Sequence, residues 1–328
     1  MIALTSTAKI IAVGGGKGGI GKSVVSVNIA SGLALAGHHV VLVDTDFGAS
    51  NLHALLGISN PQKGFQDIFN NTGVTSDSLL LDTGIDNLKF ISGAGDNPGS
   101  ANIGQESVEA VIAMIRNLQT DVVVLDMGPG TNFNVIDFFN ISDQNIVLTT
   151  PEMTSVMKTF SFIRASLFRS INKKFADNEE LQRMVDHSNP LKADIETYTV
   201  DLLKEKLAQV APERVEEVDA AVQAFKPGLV VNRARNRRDI QVGDNLIRLV
   251  HKYLNVDVKY LGYIIESDRV RDSVDDMIPF LIKDPQSKPS ENIQQIIGAL
   301  TNTDLHFIKQ DGNIFVSKQV RLGSGWGA

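Results

Sequence analysis

Short apolar runs alternate with amphipathic segments along most of this chain. Each run is rich in Val, Ile or Leu and is bounded by Gly, Asp or Asn, which is typical of buried strands. We predict strands at 10–13, 40–43, 88–91, 122–125, 146–148, 229–231 and 260–265. Apolar residues at helical spacing predict helices at 24–36, 108–115, 241–254 and 292–300. This alternation indicates an α/β fold with a mainly parallel, doubly wound sheet that helices cover on both faces.

A glycine-rich loop lies between the first predicted strand and the first predicted helix. Residues 16–23 read GKGGIGKS, which fits the phosphate-binding pattern G-x-x-x-x-G-K-[ST]; the alternative is a chance glycine-rich turn. Glycines let backbone amides point at phosphates, and the N-terminus of the following helix adds partial positive charge. We predict that Lys22 neutralises the β- and γ-phosphates of a nucleotide and that the Ser23 hydroxyl binds Mg²⁺. The predicted nucleotide-binding residues of this loop are Gly16, Gly18, Gly19, Ile20, Gly21, Lys22, Ser23 and Val24.

Carboxylates follow two other predicted strands, at the end of the sheet where ligands bind in open α/β folds. Asp126 closes the run 122–125, as a magnesium-linked carboxylate should; the alternative is a strand-end turn or a helix cap. Asp44 and Asp46 follow the run 40–43, and their spacing in an extended chain places both side chains on one face. The alternative for this pair is a solvated turn with Gly48.

The loop also contains a second lysine, Lys17, which ordinary phosphate-binding loops do not require. With it, the stretch 17–23 resembles the deviant Walker A motif of the MinD/ParA family. Segments 44–56, 122–130 and 147–155 resemble later loops of that family in the same order. Together with 230–233 and the Pro-rich stretch near Pro279, the resemblance covers nearly all of residues 9–300. The chain looks most like the FlhG/FleN branch, MinD-type ATPases that control flagellar number and placement. The resemblance implies a P-loop NTPase fold of the SIMIBI type, with ATP and Mg²⁺ as cofactors.

The same resemblance implies roles for individual residues. Lys17 reaches across a dimer interface to the partner's nucleotide, and it is catalytic together with Lys22 and Asp46. Asp46 positions and activates the attacking water, while Asp44 supports the Mg²⁺ that Ser23 and Asp126 bind. Asn232 hydrogen-bonds the adenine, and the neighbouring Arg233 belongs to the same nucleotide-binding segment.

The chain departs from the family at the predicted base pocket. The family usually has a proline after the G-x-I of the next strand, packing near the base, whereas Gly262-Tyr263-Ile264 continues here into Ile265-Glu266. The expectation of ATP rather than GTP therefore rests mostly on the resemblance.

Composition excludes some cofactors and indicates where in the cell this protein acts. The 328 residues are 43% hydrophobic, enough for a large core, and the chain has no cysteine. The lack of cysteine excludes disulfides and the iron–sulfur clusters of some relatives of this fold. No long apolar run precedes Lys9, so we expect no signal peptide, and no apolar stretch approaches about 20 residues, so we expect no membrane span. The net charge of −7 argues against broad attraction to DNA or anionic lipid. We expect a cytoplasmic protein, with peripheral contact at the inner membrane or cell pole left open.

One interval is too long for the alternating pattern. About 60 residues separate Ser166 from Leu229, far more than a crossover helix needs. Within it, 195–210 and 212–225 read as helices, and Pro212 suits a first helical turn. We predict a helical insertion at about 170–226 that either lengthens the crossover or presents a partner-binding helical hairpin outside the nucleotide site.

The end of the chain has a different periodicity. Asp311-Gly312 is a hairpin turn signal, and apolar residues recur at period two from Ile314. We predict one P-loop ATPase domain at 1–303 and a tail at 304–328, consisting of a β-hairpin and a flexible end at 323–328. The alternative for the tail is an amphipathic membrane helix.

Together these features predict a nucleotide-switched ATPase that forms a homodimer. ATP closes the dimer, hydrolysis opens it, and an unidentified protein partner reads the closed state. Hydrolysis should be slow, Mg²⁺-dependent and dimer-activated, because no arginine occupies the loop positions. The alternative is a ParA-like DNA-binding segregation ATPase, in which the basic run 233–238 contacts phosphates instead of forming a solvated loop. Lys17 argues against ligases of the same fold that make an acyl phosphate.

Overall fold

The computed structural model describes residues 8–48, 51–61, 63–70, 74–93, 104–187 and 199–320. Within these residues the main element is an eight-stranded sheet with the order β3-β4-β2-β5-β1-β6-β7-β8. Neighbouring strands are parallel except for β3, which is antiparallel to β4. The predicted fold class is confirmed. The strands of this sheet are β1 (Lys9–Gly14), β2 (Val40–Asp44), β3 (Leu81–Asp82), β4 (Leu88–Ile91), β5 (Val122–Asp126), β6 (Gln144–Thr149), β7 (Gly228–Ala234) and β8 (Lys259–Ile265).

Helices cover both faces of the sheet. Helices α1, α12 and α13 pack on one face, and α4 to α6 with α10 pack on the other. None of the described helices is long and apolar enough to cross a membrane. The helices are α1 (Lys22–Leu35), α2 (Gln66–Asn70), α3 (Ser76–Leu79), α4 (Gln105–Arg116), α5 (Phe133–Asn140), α6 (Met153–Lys174), α7 (Glu179–His187), α8 (Val200–Val210), α9 (Val215–Ala224), α10 (Arg237–Leu254), α11 (Asp268–Asp275), α12 (Phe280–Lys283) and α13 (Lys288–Thr301).

The central strands consist mainly of apolar residues, with polar residues at their ends, because both of their faces are buried. In β1, Ile10 and Ala12 face the core under α4 to α6, whereas Ile11 and Val13 face the core under α1 and α13. This alternation places successive side chains on opposite faces, as strand geometry requires. Continuous Val/Ile/Leu runs are therefore the expected signature of a parallel sheet between two helical layers.

The insertion contributes to the larger core instead of standing apart from it. Leu181 of α7, Leu203 of α8 and Val218 of α9 are buried in the same cluster as Val250 of α10. Both predicted helices of the insertion begin at a different residue in the structure. Helix α8 begins at Val200, with 195–198 outside the described residues, and Pro212–Arg214 forms a 3₁₀ turn before α9 begins at Val215.

The tail contains a β-hairpin of β9 (Thr303–Gln310) and β10 (Asn313–Val320). Its turn residues Asp311 and Gly312 have φ angles of 49° and 82°, as a two-residue hairpin turn of the type I′ class requires. Leu305 and Phe307 of β9 are buried against the face that α1 and α13 cover. The alternative of a membrane helix does not hold for Asn313–Val320, and the predicted flexible end at 323–328 lies outside the described residues.

Candidate nucleotide-binding site

The site residues predicted from three separate segments meet at the carboxyl end of the sheet. The phosphate-binding loop connects β1 to α1, and β5 lies between β1 and β2. Strand register places Asp126 beside Val13 on one side and beside Asp44 on the other. The parallel arrangement therefore brings the ends of all three strands to one place, although the segments are far apart in the chain.

Backbone conformation explains the glycines of the loop. Gly19 and Gly21 have φ angles of 74° and 92°, which residues with a Cβ rarely adopt. Gly16 is required for a different reason, because a Cβ there would lie 2.0 Å from the backbone carbonyl oxygen of Lys158 in α6. Gly21 also occupies the N-cap of α1 without a side-chain cap, so the first amides of this helix are available to an anion.

The side chains of the two lysines in the loop have different surroundings. Lys22 is buried, and its Nζ lies 3.5 Å from the carbonyl oxygen of Lys17. Burial lowers the pKa of Lys22, while the charges of Asp126 and Asp46 act in the opposite direction. Lys17 is partly exposed instead, and its Nζ donates to Thr154 Oγ1 of α6 at 3.2 Å. Lys22 thus faces the interior of the loop, whereas Lys17 extends to the surface beside α6.

Asp126 is a buried carboxylate that serine hydroxyls and a lysine surround. Its Oδ1 accepts a hydrogen bond from Ser26 at 2.8 Å. Burial raises the pKa of Asp126 to about 6, against the opposing effects of the Ser23 and Ser26 hydroxyls and of Lys22. An ionised carboxylate in such a place needs a further cationic partner to be stable.

Asp44 and Asp46 have different surroundings although they are two residues apart. Asp44 is buried, and its carboxylate accepts the backbone N–H of Asp46 at 2.9 Å and that of Leu52 at 3.4 Å. Asp46 is only partly buried, and its charge acts on both Lys22 and Asp126. Asp44 therefore fixes the loop that holds Asp46 beside the phosphate-binding loop.

The donor set fits Mg²⁺ better than a metal that needs many protein ligands. Ser23 and Asp126 offer hydroxyl and carboxylate oxygens side by side, which are the ligands that Mg²⁺ prefers. The described residues contain no group of three or more His, Cys, Asp or Glu side chains that could hold a metal ion. An ion at Ser23 and Asp126 would therefore take its remaining ligands from water and phosphate, as Mg²⁺ commonly does.

A cavity of about 400 Å³ opens beside the loop and is large enough for a nucleobase. Asn232 and Arg233 contribute to its lining, with Arg233 at a φ of 58°. Asn232 Nδ2 donates to the carbonyl oxygen of Ile20 at 2.7 Å, and its Oδ1 accepts the N–H of Arg233 at 3.0 Å. In this structure the Asn232 amide braces the phosphate-binding loop, and its adenine contact stays a prediction.

Ile265, which stands where the family usually has a proline, makes a backbone hydrogen bond in this structure. The N–H of Ile265 donates to Oδ1 of Asn292 at 3.2 Å, and Asn292 is buried in α13. Proline has no N–H and could not make this bond. The pocket wall is thus fastened to α13 by a hydrogen bond that the usual family sequence does not provide.

This geometry agrees with a comparison against known protein families. Residues 11–280 match the family described as the CobQ/CobB/MinD/ParA nucleotide binding domain. The chain belongs to this family. The matched region contains the phosphate-binding loop, both carboxylate-bearing strand ends and the cavity, so the CobQ/CobB/MinD/ParA domain accounts for the whole candidate site.

Curated members of the family are similar over part of the chain. Antiactivator FleN of Pseudomonas aeruginosa is 30% identical over 158 residues, which is 48% of this chain and 55% of that protein. Septum site-determining protein MinD of Bacillus subtilis is 29% identical over 147 residues, which is 44% of this chain and 54% of that protein. The chain spans about half the length of these curated relatives.

Solved structures of the family have the same fold. MinD of Pyrococcus horikoshii complexed with Mg-ADP superposes with a TM-score of 0.61 at 18% identity, covering 89% of this chain and 96% of that one. An ATP complex of Cyanothece McdA gives a TM-score of 0.57 at 15% identity, covering 89% of this chain and 97% of that one. At these identities the likeness shows the fold of the MinD/ParA family.

Sequence reasoning missed some of the contacts that organise this site. It did not anticipate Ser26, whose position three residues after Ser23 on α1 was the available signal. It also gave no role to Thr154, although this residue lies in a segment that resembles a family loop. The bond from Ile265 to Asn292 had no signal at all in the sequence, because it joins residues of different elements.

Proposed function

We propose that this protein is an ATP-dependent, dimerising molecular-switch ATPase of the MinD/ParA type. The proposal rests on the observation that the side chains of the two loop lysines lie in different places. Lys22 is buried against the loop, while Lys17 Nζ lies at the surface on Thr154, 3.2 Å away. A lysine presented outward from a phosphate-binding loop suits contact with a nucleotide on a second copy of the chain, because its own nucleotide is already served by Lys22.

The surface around Lys17 supports a second copy as the binding partner. Phe133, Met153 and Met157 are 64%, 72% and 38% exposed, and Met153 directly precedes Thr154. The loop that leads to Phe133 touches the phosphate-binding loop, since a Cβ on Gly18 would lie 3.8 Å from Pro129. Large exposed apolar side chains next to a functional loop are typical of a protein–protein interface.

Hydrolysis would use the carboxylates and Lys22. Asp46, whose charge acts on Lys22, would orient a water near the end of the triphosphate, and Lys22 would stabilise charge on the phosphates. Mg²⁺ bound at Ser23 and Asp126 would supply neutralising charge at the phosphate oxygens. The loop contributes no arginine to this charge, so we expect slow turnover that rises when the dimer forms.

We further propose a regulatory role of the FleN kind, in the number or placement of a cellular structure such as the flagellum. Similarity to Antiactivator FleN at 30% identity over about half of each chain supports it. The alternative, a ParA-like DNA-binding ATPase, is favoured by exposed Arg237 and Arg238 at the start of α10. Arg235 of the same run is engaged by Glu266. Salt-dependent binding to nonspecific duplex DNA would favour the alternative.

Light scattering with ATP and Mg²⁺ tests the switch. Asp46→Ala should bind ATP, lose hydrolysis and accumulate as a dimer, whereas Lys17→Ala should bind ATP and stay monomeric. Lys226→Ala, an exposed lysine on the connection to β7, is the matched control and should behave as the unmodified protein. A Lys17→Ala protein that dimerises normally would refute the cross-dimer role of this lysine.

A further inference from the structure

The cavity beside the phosphate-binding loop has several apolar side chains in its lining. The apolar lining includes Val24 and Val25 of α1, Ile264 of β8, and Val270 and Val274 of α11. Gly21 also lines the cavity, so the cavity is continuous with the end of the phosphate-binding loop. Apolar walls bind the faces of a planar base, and the polar groups at the edge then decide which base is accepted.

Several polar side chains of the lining already have partners within the chain. Both ends of the Asn232 carboxamide already bond to Ile20 and Arg233 of its own chain. Arg271 is paired with Asp268 at 3.2 Å. Among the described residues that line the cavity, Glu266 is the only one with a carboxylate.

Glu266 has hydrogen-bond partners on both its side chain and its backbone. The Arg235 guanidinium donates to both of its carboxylate oxygens, with Nη2 to Oε1 at 3.2 Å, and the backbone N–H of Glu266 donates to Ala234 at 3.0 Å. Arg235 lowers the pKa of Glu266, assisted by Arg233 and Arg271, so the group is ionised at neutral pH. Each carboxylate oxygen can accept more than one hydrogen bond, and an ionised carboxylate cannot donate any.

An ionised acceptor in the lining of this cavity is best matched by a hydrogen-bond donor on the base. The exocyclic amine is the one donor that adenine offers along its base-pairing edge. We propose that Glu266 is a specificity-determining residue that accepts a hydrogen bond from this amine, with Arg235 as its positioning residue. This inference rests on the proposed ATP-binding function.

The test compares ATP with purine riboside triphosphate, which differs from ATP only by lacking the amine. Binding of each nucleotide to the full chain with Mg²⁺ is measured by isothermal titration calorimetry. The unmodified protein should bind ATP about tenfold or more tightly than the analogue, as a hydrogen bond to a charged group implies. Glu266→Ala should lose this factor for ATP and bind the analogue unchanged. Glu205→Ala, an exposed carboxylate on α8, should retain the full preference for ATP.

The outcomes separate this inference from the function on which it rests. Unchanged binding of the analogue to Glu266→Ala shows that the pocket is intact, so a lost preference reports the hydrogen bond and not misfolding. Equal affinity of the unmodified protein for both nucleotides, or a preference that survives in Glu266→Ala, overturns the role of Glu266 and leaves ATP binding standing. Failure of the unmodified protein to bind either nucleotide overturns the proposed function as well.

Discussion

Three glycines of one loop should respond very differently to the same added methyl group. Gly16→Ala places a Cβ 2.0 Å from the Lys158 carbonyl oxygen and 2.6 Å from its carbonyl carbon, both of which are backbone atoms of α6. Neither atom can rotate away as a side chain could, so the loop or the helix must move. Gly19→Ala meets no atom within 4 Å, but its φ of 74° is strained for any residue with a Cβ. Gly18→Ala has neither problem, since its nearest neighbour is Pro129 Cβ at 3.8 Å.

These contacts predict the order in which the three substitutions change the unfolding free energy. Forcing a Cβ into a packed backbone should cost Gly16→Ala about 3 kcal/mol, the upper end of the usual cost of overpacking. A left-handed backbone conformation should cost Gly19→Ala about 1 kcal/mol. Gly18→Ala should be neutral or stabilise the fold by up to about 1 kcal/mol, because alanine restricts the unfolded chain.

Urea denaturation without nucleotide, followed by far-UV circular dichroism, measures all three variants under one condition. Gly104→Ala is a control outside the loop, because a Cβ there meets nothing within 4 Å and the residue has no positive φ. A Gly18→Ala protein as unstable as Gly16→Ala would refute the reasoning. It would show that the loop is sensitive to any side chain and not to the particular contact with Lys158.

Two further predictions concern the helical layer around α6. Leu203→Ala in α8 should lower the unfolding free energy by about 2–5 kcal/mol in one cooperative transition, because Leu203 is fully buried in the larger core; a separate early transition in urea would show that the insertion folds on its own. Burial by itself would raise the pKa of Asp137. The bonds to Arg169, at 2.8 and 2.9 Å, and to Lys173 have the larger combined effect, so the pKa of this carboxyl is lowered. Asp137 therefore stabilises the fold above its unfolded pKa, and the contribution is lost as pH falls through the lowered value. Asp137→Asn should remove that part of the acid dependence, and identical stability curves between pH 2 and 5 would contradict it.

The sequence by itself determined the parts of this protein that are encoded locally. The phosphate-binding loop is contiguous, and its glycines, Lys22 and Ser23 are recognisable without knowledge of the fold. The central strands were predictable because burial on both faces gives them continuous apolar runs, as at 122–125. The hairpin was predictable from Asp311-Gly312, since few residue pairs adopt two successive positive φ angles.

Elements with weaker local signals were not predicted. The two-residue strand β3 has no apolar alternation, and its pairing with β4 depends on the neighbouring sheet edge. Helix α12 has only four residues, too few for a helical periodicity, and it is held by the N–H of Leu281 donating to Asn28 of α1 at 2.9 Å. Short elements of this kind form because tertiary contacts support them, since an isolated helical turn is unstable.

Only the tertiary structure decided which distant groups meet at the site. Asn232 and Ile20 are 212 positions apart, and their bond exists because β7 and the phosphate-binding loop end at the same edge of the sheet. The pairing of β7 with β8 shifts register twice, and a one-residue shift turns every following side chain to the opposite face. No local pattern encodes such a shift, so the place of Glu266 at the cavity could be known only from the folded chain. The phosphate-binding loop is thus encoded by contiguous residues, whereas the position of Glu266 in the cavity lining depends on how separate strands align.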